Sequence, residues 1–239
     1  MTGEIFLSII IPAFNEEKRI PMALVPTIDF LKKQSFTSEI IVVSDGSQDQ
    51  TKVVAESFKN IFQNLSVIEY SPNRGKGYAV KTGMLNARGK YRLFMDADYA
   101  VPIELVDKFL MMIDKDFDIV IGSRAVKQAY IEKHQPFFRE FLAKCFGRMQ
   151  QIILGLPIRD SQCGFKLFTD KMADYLFNRI VFDCAYFDAE LLYLACREKA
   201  RIAEVGVHWK HDDNTRLPIG ILRSFDLLKK MFIIRIIHK

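Results

Sequence analysis

The first half of the chain alternates between two spacings of apolar residues. Short, nearly continuous apolar runs typical of buried strands lie at residues 6–11, 39–44, 65–70, 91–95 and 118–122. Between these runs, apolar residues recur at helical spacing, at residues 16–33, 50–62, 78–87 and 103–113. Because strands that alternate with helices form parallel sheets with right-handed crossovers, the pattern predicts an α/β fold with a mostly parallel central sheet.

The pattern changes after Arg124. Residues 137–156 carry apolar side chains along one face of a helix and charged ones along the other. The remaining predicted elements are a loop that enters a short strand (160–169), a helix (188–199), a strand (201–209) and a basic, very apolar helical tail (221–239). We expect one domain over 1–239, because no repeat or low-complexity linker divides the chain.

Composition narrows the class of protein. The chain is 49% hydrophobic and 26% charged, as ordinary globular proteins are. Its four cysteines show no CxxC spacing and its four histidines lack metal-ligand spacing, which argues against a disulfide scaffold and a zinc site. No signal peptide is predicted, and no run reaches the ~20 apolar residues of a membrane span. We therefore expect a cytosolic protein that contacts membranes only peripherally.

Charge is distributed unevenly about a net value of +5. Residues 1–120 carry 14 Lys and Arg against 16 Asp and Glu, whereas residues 121–239 carry 20 against 13. A basic second half suits an anionic partner such as a phosphate group or an acidic membrane surface. Nucleic acid also has the right sign of charge, but no basic stripe interleaved with aromatic residues is present, so we do not expect it as a partner.

Two carboxylates mark the end of one predicted strand. Asp96-Ala97-Asp98 follows the apolar run 91–95, and the carboxyl ends of parallel strands open into the ligand crevice of an α/β fold. Paired carboxylates there suit a hard divalent cation, Mg²⁺ or Mn²⁺, and through it a diphosphate; a polar turn that closes a strand is the alternative. The first strand is followed by neither a dinucleotide-binding nor a P-loop glycine motif, so a nucleotide would be held differently.

Polar motifs follow the successive predicted strands: Pro12-Ala13-Phe14-Asn15-Glu16-Glu17, Ser44-Asp45-Gly46-Ser47, Asn73-Arg74-Gly75-Lys76-Gly77, Asp96-Ala97-Asp98 and Gly122-Ser123-Arg124. Together they resemble the inverting GT-A fold glycosyltransferases of family 2. The later runs 158–168 and 187–193 are similar to the dolichyl-phosphate β-glucosyltransferases, with the dolichyl-phosphate mannosyltransferases as close relatives. The chain departs from that pattern at Ser44, where the family usually has an acidic residue, and at Tyr99, where the glucosyltransferases tend to have glycine.

The resemblance implies an inverting, metal-dependent hexosyltransferase that moves glucose from UDP-glucose to a polyprenyl (dolichyl-type) monophosphate. Residues 1–124 would bind the nucleotide sugar, and residues 125–239 the acceptor and the membrane interface. Donor-binding residues are expected at Pro12, Asn15, Glu16, Asp45, Arg74, Lys76, Asp96, Ala97 and Gln162. The metal is expected on Asp98 with Asp96, the acceptor phosphate on Arg124 and Arg139, and the catalytic residues are expected to be Asp98, Asp160 and Arg124.

Several of these residues also have a plainer interpretation. Asp45 could accept the N3–H of uracil, or it could close an ordinary Asp-Gly-Ser turn. Arg74 and Lys76 could neutralise a diphosphate, or they could form a solvated basic turn. Arg139 could hold a phosphate through its planar guanidinium, or it could be a surface cation of its helix.

Other residues are assigned by position. Cys163 is expected to be a small buried side chain rather than a nucleophile. Asp188 and Glu190 open a predicted helix, so N-terminal capping and dipole complementarity are expected of both. A loop that carries Lys210, His211 and Arg216 is expected to close over the diphosphate as a lid.

Other functions remain open from the sequence. They are a polyprenyl-phosphate mannosyltransferase that uses GDP-mannose, a family 2 transferase that acts on a soluble saccharide, and a non-catalytic nucleotide-sugar-binding subunit. A lipid acceptor stays in the bilayer, so we expect a location on the cytosolic face of a membrane. The docking elements would be the helix at 137–156 and the tail, where residues 217–239 carry five Lys and Arg against one Asp; a membrane-embedded partner subunit is the alternative.

Overall fold

The computed structural model describes residues 4–133, 137–184, 186–210 and 221–238, with the backbone alone at 133, 137–144, 146, 210 and 221–228. A central seven-stranded sheet has the strand order β3-β2-β1-β4-β7-β5-β8, and β6 pairs with β9 in a separate two-stranded sheet. The strands are β1 (Leu7–Ala13), β2 (Ser38–Asp45), β3 (Leu65–Tyr70), β4 (Tyr91–Met95), β5 (Ile119–Ser123), β6 (Tyr130–Lys133), β7 (Phe165–Thr169), β8 (Ile202–Gly206) and β9 (His208–Lys210).

Helices cover both faces of the central sheet. They are α1 (Ile20–Leu31), α2 (Thr51–Ser57, followed by a 3-10 turn at Phe58–Asn60), α3 (Lys76–Asn86), α4 (Leu105–Ile113), α5 (Phe137–Leu154), α6 (Asp170–Phe177), α7 (Phe187–Arg197) and α8 (Ile221–Ile237). Among the described residues, no helix is both long and apolar enough to cross a membrane.

Two apolar clusters form, one on each face of the sheet. The alternation of β1 shows the division, because Leu7, Ile9 and Ile11 join the first cluster while Ile10 joins the second. Helices α1, α2 and α4 pack on the first face, whereas α3, α6, α7 and parts of α5 and α8 pack on the second. Since both faces are covered, β2, β4 and β5 are buried along their whole length, as their nearly continuous apolar runs predict.

Strand register brings distant segments of the chain to one edge of the sheet. All strand pairs of the central sheet are parallel except those of β7, which is antiparallel to β4 and β5. Met95 at the end of β4 lies opposite Phe165 at the start of β7. The residues that follow β4 therefore meet the residues that precede β7, at the same edge where β1, β2 and β5 end.

The predicted mostly parallel α/β sheet agrees with the observed topology, but some elements differ. The strand predicted at 201–209 is wrong as a single element, because it divides at Val207 into β8 and β9 of different sheets. Val207 bridges the two sheets, since its N–H donates to the carbonyl of Ser123 at 3.2 Å and its carbonyl accepts from Tyr130 N–H at 2.9 Å. Strand β6 and helix α6 were not predicted, although Thr169 caps α6 by accepting from the N–H of Met172.

Helix ends also shift from their predicted positions. Helix α1 begins at Ile20 rather than near 16, because the preceding residues form a turn in which Arg19 N–H donates to the Glu16 carbonyl at 2.9 Å. Helix α5 ends at Leu154, and the next residue, Gly155, adopts a φ of +66° that stops the helix.

Candidate active site

The candidate active site lies where β4 ends and β7 begins. The backbone N–H of Asp96 donates to the carbonyl of Gly164 at 3.1 Å, which joins the two segments directly. Asp98 Oδ1 accepts from the N–H of Ala100 at 3.0 Å and closes the turn. Ala97 between the two acids is buried in the first apolar cluster. The strand end is thus anchored by Ala97, with a half-buried carboxylate on each side of it.

Lys76 supplies a cation to this strand end. Its Nζ lies 2.6 Å from Asp96 Oδ1. Burial works against the charged form, but the charges of Asp96 and Asp188 outweigh it and raise the pKa of Lys76. Helix α3 begins at Lys76, and the positive end of a helix dipole adds to the attraction for an anion.

Asp45 holds the turn that precedes Lys76. Its carboxylate accepts from the N–H of Arg74 at 2.7 Å, the N–H of Gly75 at 2.9 Å and Nδ2 of Asn73 at 2.8 Å. Asp45 is buried, so these bonds compensate for the loss of water around its charge. The carboxylate thus has a positioning role in the turn, and its contact with a uracil stays a prediction.

Arg74 is oriented by neighbours rather than simply solvated. Its guanidinium lies 3.4 Å from the centre of the Tyr78 ring, within cation–π distance. Nη2 also lies 3.4 Å from Asp183 Oδ2, and the carbonyl of Asp183 accepts from Tyr78 N–H at 3.1 Å. These contacts hold a half-exposed guanidinium beside the start of α3.

The loop after β1 is tied to the loop after β2. The N–H of Asn15 donates to Ser47 Oγ at 3.1 Å. The Glu16 carboxylate forms a two-point ion pair with Arg19, with distances of 2.6 and 2.7 Å. Pro12 lies in β1, half-buried at the same edge. Glu16 therefore has a structural cation partner in Arg19, and its contact with a nucleotide stays a prediction.

Arg124 and Asp160 form a clamped pair on the other side of the site. Nε and Nη2 of Arg124 donate to the Asp160 carboxylate at 2.7 and 2.9 Å, and the Arg124 backbone N–H donates at 2.9 Å. Glu204 accepts from the Asp160 N–H, and the guanidinium lies 5.3 Å from the ring centre of Trp209. Although burial favours the neutral acid, Arg124 holds the pKa of Asp160 below its ordinary value.

The segment between Asp160 and β7 packs directly against the carboxylates of Asp160 and Asp96. Gln162 is half-buried, and its N–H donates to Asp160 Oδ1 at 3.2 Å. Burial raises the pKa of Cys163 to about 12, so its thiol stays protonated at neutral pH, as expected of a buried non-nucleophilic cysteine. A Cβ on Gly164 would lie 2.0 Å from Asp96 Oδ2, so any other residue would displace that carboxylate from its position.

Left-handed backbone concentrates around the site. Asn15, Gly46, Gly75 and Tyr99 have φ values of 54°, 66°, 104° and 53°. Such angles are strained for a tyrosine, and glycine adopts them freely. The left-handed φ explains why the glucosyltransferases tend to have glycine at the position of Tyr99. In this chain the turn keeps that shape at a cost in backbone strain.

The chemistry of Asp96 and Asp98 fits a divalent cation. Burial and the neighbouring charge of Asp96 raise the pKa of Asp98, so the site favours added positive charge. Within the described ranges, no cluster of three or more His, Cys, Asp or Glu side chains could hold a metal alone. Mg²⁺-type sites commonly use one or two carboxylates and take their remaining ligands from water and substrate phosphates. Asp96 and Asp98 beside the turn that carries Arg74 and Lys76 match that arrangement.

The structure brings most of the predicted site residues to this one edge: Pro12, Asn15, Glu16, Asp45, Arg74, Lys76, Asp96, Ala97, Asp98, Arg124, Asp160 and Gln162. Arg139 lies in α5, but its side chain is outside the described part of the structure. Of the predicted lid, the backbone of Lys210 ends β9, and His211 and Arg216 lie outside the described residues.

Sequence reasoning missed the partners of two acids in α7. Asp188 and Glu190 lie in its first turn as predicted, but neither caps the helix. Asp188 pairs with Lys166 Nζ, and Glu190 accepts from the N–H groups of Val181 and Phe182 at 2.9 and 2.8 Å. One signal was present, because a lysine between Phe165 and Leu167 of an otherwise apolar strand needs a buried partner.

Comparison with protein families and curated proteins gives consistent matches. A model of the family described as Glycosyl transferase family 2 matches residues 8–177. The chain is 42% identical over 224 residues to the dolichyl-phosphate beta-glucosyltransferase of Drosophila melanogaster, covering 88% of this chain and 69% of that protein. It is 36% identical over 255 residues to the dolichyl-phosphate beta-glucosyltransferase of Saccharomyces cerevisiae, covering 98% and 75%.

Solved structures confirm the GT-A type of the fold. Glucosyl-3-phosphoglycerate synthase from Mycobacterium tuberculosis in complex with UDP matches with a TM-score of 0.69 and 18% identity, over 96% of this chain and 80% of that chain. Its complex with Mn²⁺, UDP and glucosyl-3-phosphoglycerate matches with a TM-score of 0.65 and 17% identity, over 96% and 78%. At such identities the likeness shows the fold alone.

The Arg124–Asp160 clamp predicts a measurable effect on stability. Asp160→Asn should lower the free energy of unfolding by about 2–3 kcal/mol at pH 7, because it removes charged hydrogen bonds from a buried group. The folded pKa of Asp160 is lowered, so this difference should persist down to about pH 4, the ordinary pKa of an aspartate, and shrink below it. Urea unfolding at pH 7, 5 and 3.5 measures it.

A matched control is Asp116→Asn. Asp116 is exposed and pairs with Arg201 at 3.8 Å, so its variant should stay within about 0.5 kcal/mol of the parent. Equal unfolding curves for the Asp160→Asn variant and the parent would show that the clamp contributes nothing to stability.

Proposed function

Because the chain belongs to glycosyl transferase family 2, we propose that it moves glucose from UDP-glucose to the phosphate of a dolichyl-type lipid and inverts the anomeric carbon. The observation that carries this proposal is the convergence of the Asp96–Asp98 carboxylates and the Arg124–Asp160 clamp at one sheet edge. The two sides influence each other: burial opposes the charge of Arg124, but Asp160 and, more weakly, Asp96 raise the pKa of Arg124. The names of the relatives supply the donor sugar and the acceptor class.

The donor would bind along the ends of β1, β2 and β4. The Asp45-held turn presents the cations of Arg74 and Lys76, which suits a diphosphate. Asp98 and Asp96 would hold a divalent cation, Mg²⁺ or Mn²⁺, which when bound would compensate negative charge on the leaving UDP. A GT-A structure of 17% identity was solved with Mn²⁺ and UDP, which supports the choice of metal for this fold.

The reaction needs little acid–base help from the protein. A lipid phosphate is already ionised at neutral pH, so one of its oxygens can attack the anomeric carbon directly. The new bond joins that oxygen to the carbon, and the bond to the UDP oxygen breaks with its electrons on UDP. Asp160 is an unsuitable general base, because its lowered pKa and its pairing with Arg124 keep it a bound carboxylate. Its role would be to fix Arg124 for the acceptor phosphate.

The membrane contact would come from α8. Met231 and Ile234 are buried against the second apolar cluster, so they fix which face of the helix packs inward. The opposite side exposes four large apolar side chains, at Phe232, Ile233, Ile236 and Ile237. Exposed cations at Lys229 and Arg235 flank them. Large apolar groups with a cationic rim suit the headgroup plane of an anionic bilayer, and we infer that the protein docks there on the cytosolic side.

The test of the proposed function is a transfer assay with radiolabelled sugar donors. We expect labelled glucose in the lipid phase only when UDP-glucose and a polyprenyl monophosphate are both present, and less than about a tenth of that rate with GDP-mannose. Dolichol without its phosphate is the control acceptor and should remain unlabelled. Faster transfer from GDP-mannose would favour a mannosyltransferase. Transfer to a soluble saccharide alone would favour a family 2 transferase that acts on soluble saccharides. No transfer with UDP binding intact would favour a non-catalytic nucleotide-sugar-binding subunit.

The metal role is tested at Asp98. Asp98→Asn keeps the shape but removes one charge, and we expect kcat/KM to fall by at least about a hundredfold, or ~2.7 kcal/mol. EDTA should abolish transfer by the parent, and added Mn²⁺ or Mg²⁺ should restore it. Asp107→Asn, an exposed acid on α4, is the matched control and should behave as the parent does. Full activity in EDTA would exclude the metal.

Membrane docking is tested on the exposed face of α8. The double variant Phe232→Gln/Ile236→Gln leaves the buried residues Met231 and Ile234 in place. Its binding to liposomes that contain anionic lipid should fall at least about tenfold, because each large apolar side chain contributes roughly 1.5–3 kcal/mol when it is buried. Flotation measures bound protein, and high salt should weaken binding of the parent.

A control for that experiment changes exposed apolar residues elsewhere. Val53 and Ile61 are similarly exposed, in and just after α2, which packs on the opposite face of the sheet from α8. The variant Val53→Gln/Ile61→Gln should therefore float as the parent does. Equal flotation of the α8 variant and the parent would assign membrane contact to another surface.

A further inference from the structure

A buried ion pair lies behind the candidate metal site. Lys166 on β7 is fully buried, and its ammonium contacts the carboxylate of Asp188, which is 2% exposed. Removing two charges from water is costly, and apolar residues of similar volume usually stabilise a core as well or better. Stability alone is therefore a weak reason for this pair, and its position beside the site offers another.

Lys166 fixes the orientation of the pair. Its Nζ also donates to the carbonyl of Cys163 at 2.7 Å, so the ammonium is held between a backbone group and Asp188. Its strand position lies opposite Phe94 of β4, one residue before the strand ends. Asp188 is thus clamped to the same strand pair that presents Asp96.

Asp188 also acts on Lys76. Burial raises the pKa of Asp188, while the charges of Lys166 and Lys76 both oppose that rise. The starts of α3 and α7 approach closely, because a Cβ on Gly77 would lie 2.8 Å from Phe187 Cβ. The Lys76 ammonium is consequently influenced by the charges of two acids: Asp96 is in direct contact with it, and Asp188 lies beyond ion-pair distance in the adjacent first turn of α7.

We propose that Asp188, clamped by Lys166, is a positioning residue that offers Lys76 a second anionic partner and so frees Asp96 for the divalent cation. This inference rests on the proposed function, which places the cation on Asp96 and Asp98. Without Asp188, Lys76 would pair more strongly with Asp96 and compete with the metal. With Asp188, Lys76 stays at the site as a cation for the donor diphosphate while Asp96 turns to the metal.

The experiment measures Mn²⁺ affinity in the presence of UDP, by the electron paramagnetic resonance signal of free Mn²⁺, with no acceptor present. Asp188→Asn should weaken Mn²⁺ binding about tenfold, while its carbonyl oxygen still accepts from Lys166. Asp170→Asn, which removes an acid from the first turn of α6 away from the site, is the matched control and should bind Mn²⁺ as the parent does.

Measuring the same substitution in a Lys76→Ala variant separates a positioning role of Asp188 from a purely structural one. If Asp188 acts through Lys76, then Asp188→Asn should change Mn²⁺ affinity less than twofold when Lys76→Ala is already present. The same loss in both backgrounds, or equal affinities for the Asp188→Asn variant and the parent, would overturn the inference alone. Absence of Mn²⁺ binding by the parent would overturn the proposed metal site together with it. Should Asp188→Asn fail to fold, Lys166→Met/Asp188→Leu replaces the pair by apolar side chains and is read in the same two backgrounds.

Discussion

The antiparallel entry of β7 between β4 and β5 is the constraint on which the site depends. In a wholly parallel sheet, the segment before this strand would begin at the far edge. Because β7 runs the other way, Phe165 lies opposite Met95, and the residues before it meet the dicarboxylate turn. Gly164 then approaches Asp96 so closely that a side chain there would displace the Asp96 carboxylate. One reversed strand thus joins the Asp96-Ala97-Asp98 turn to the clamp that carries Arg124.

Charge balance is the second principle of the site. Three acids each have a basic partner in close contact: Asp96 with Lys76, Asp160 with Arg124, and Asp188 with Lys166. Asp98 differs, because among the described residues no Lys or Arg lies within ion-pair distance of it, and burial raises its pKa. Pairing holds the other side chains in place, whereas no such ion pair compensates the charge that Asp98 carries when it is ionised. This difference is the electrostatic reason to place a cation there.

The sequence was informative where a local pattern has one structural outcome. Strands β3 and β4 were predicted with their observed ends, and the Asp96-Ala97-Asp98 motif could be placed at a sheet edge, because apolar runs between helices end there. The reversal of β7 could not be predicted, because a short apolar strand reads the same in either direction.

Contacts between segments distant in sequence could not be predicted from the sequence either. Asp45 and Asp188 have partners 29 and 22 residues away in sequence, and no spacing rule connects residues so far apart. The left-handed backbone at Tyr99 was detectable only indirectly, through the glycine expected at that position.

The described structure also connects helix α8 with the turn that carries Lys76. His238, just after α8, lies 2.6 Å from Glu190, which holds the backbone of Val181 and Phe182. The next residue, Asp183, accepts from Tyr78 at the start of α3. The short segment 181–183 is therefore shared by the α8 contact and the turn that presents Lys76. A lipid acceptor held near α8 and a donor held near Lys76 would then both be positioned by contacts to the same backbone atoms of residues 181–183. That shared support makes a fixed distance between two substrates possible, and positioning of this kind is the main contribution to catalysis when the nucleophile is already ionised.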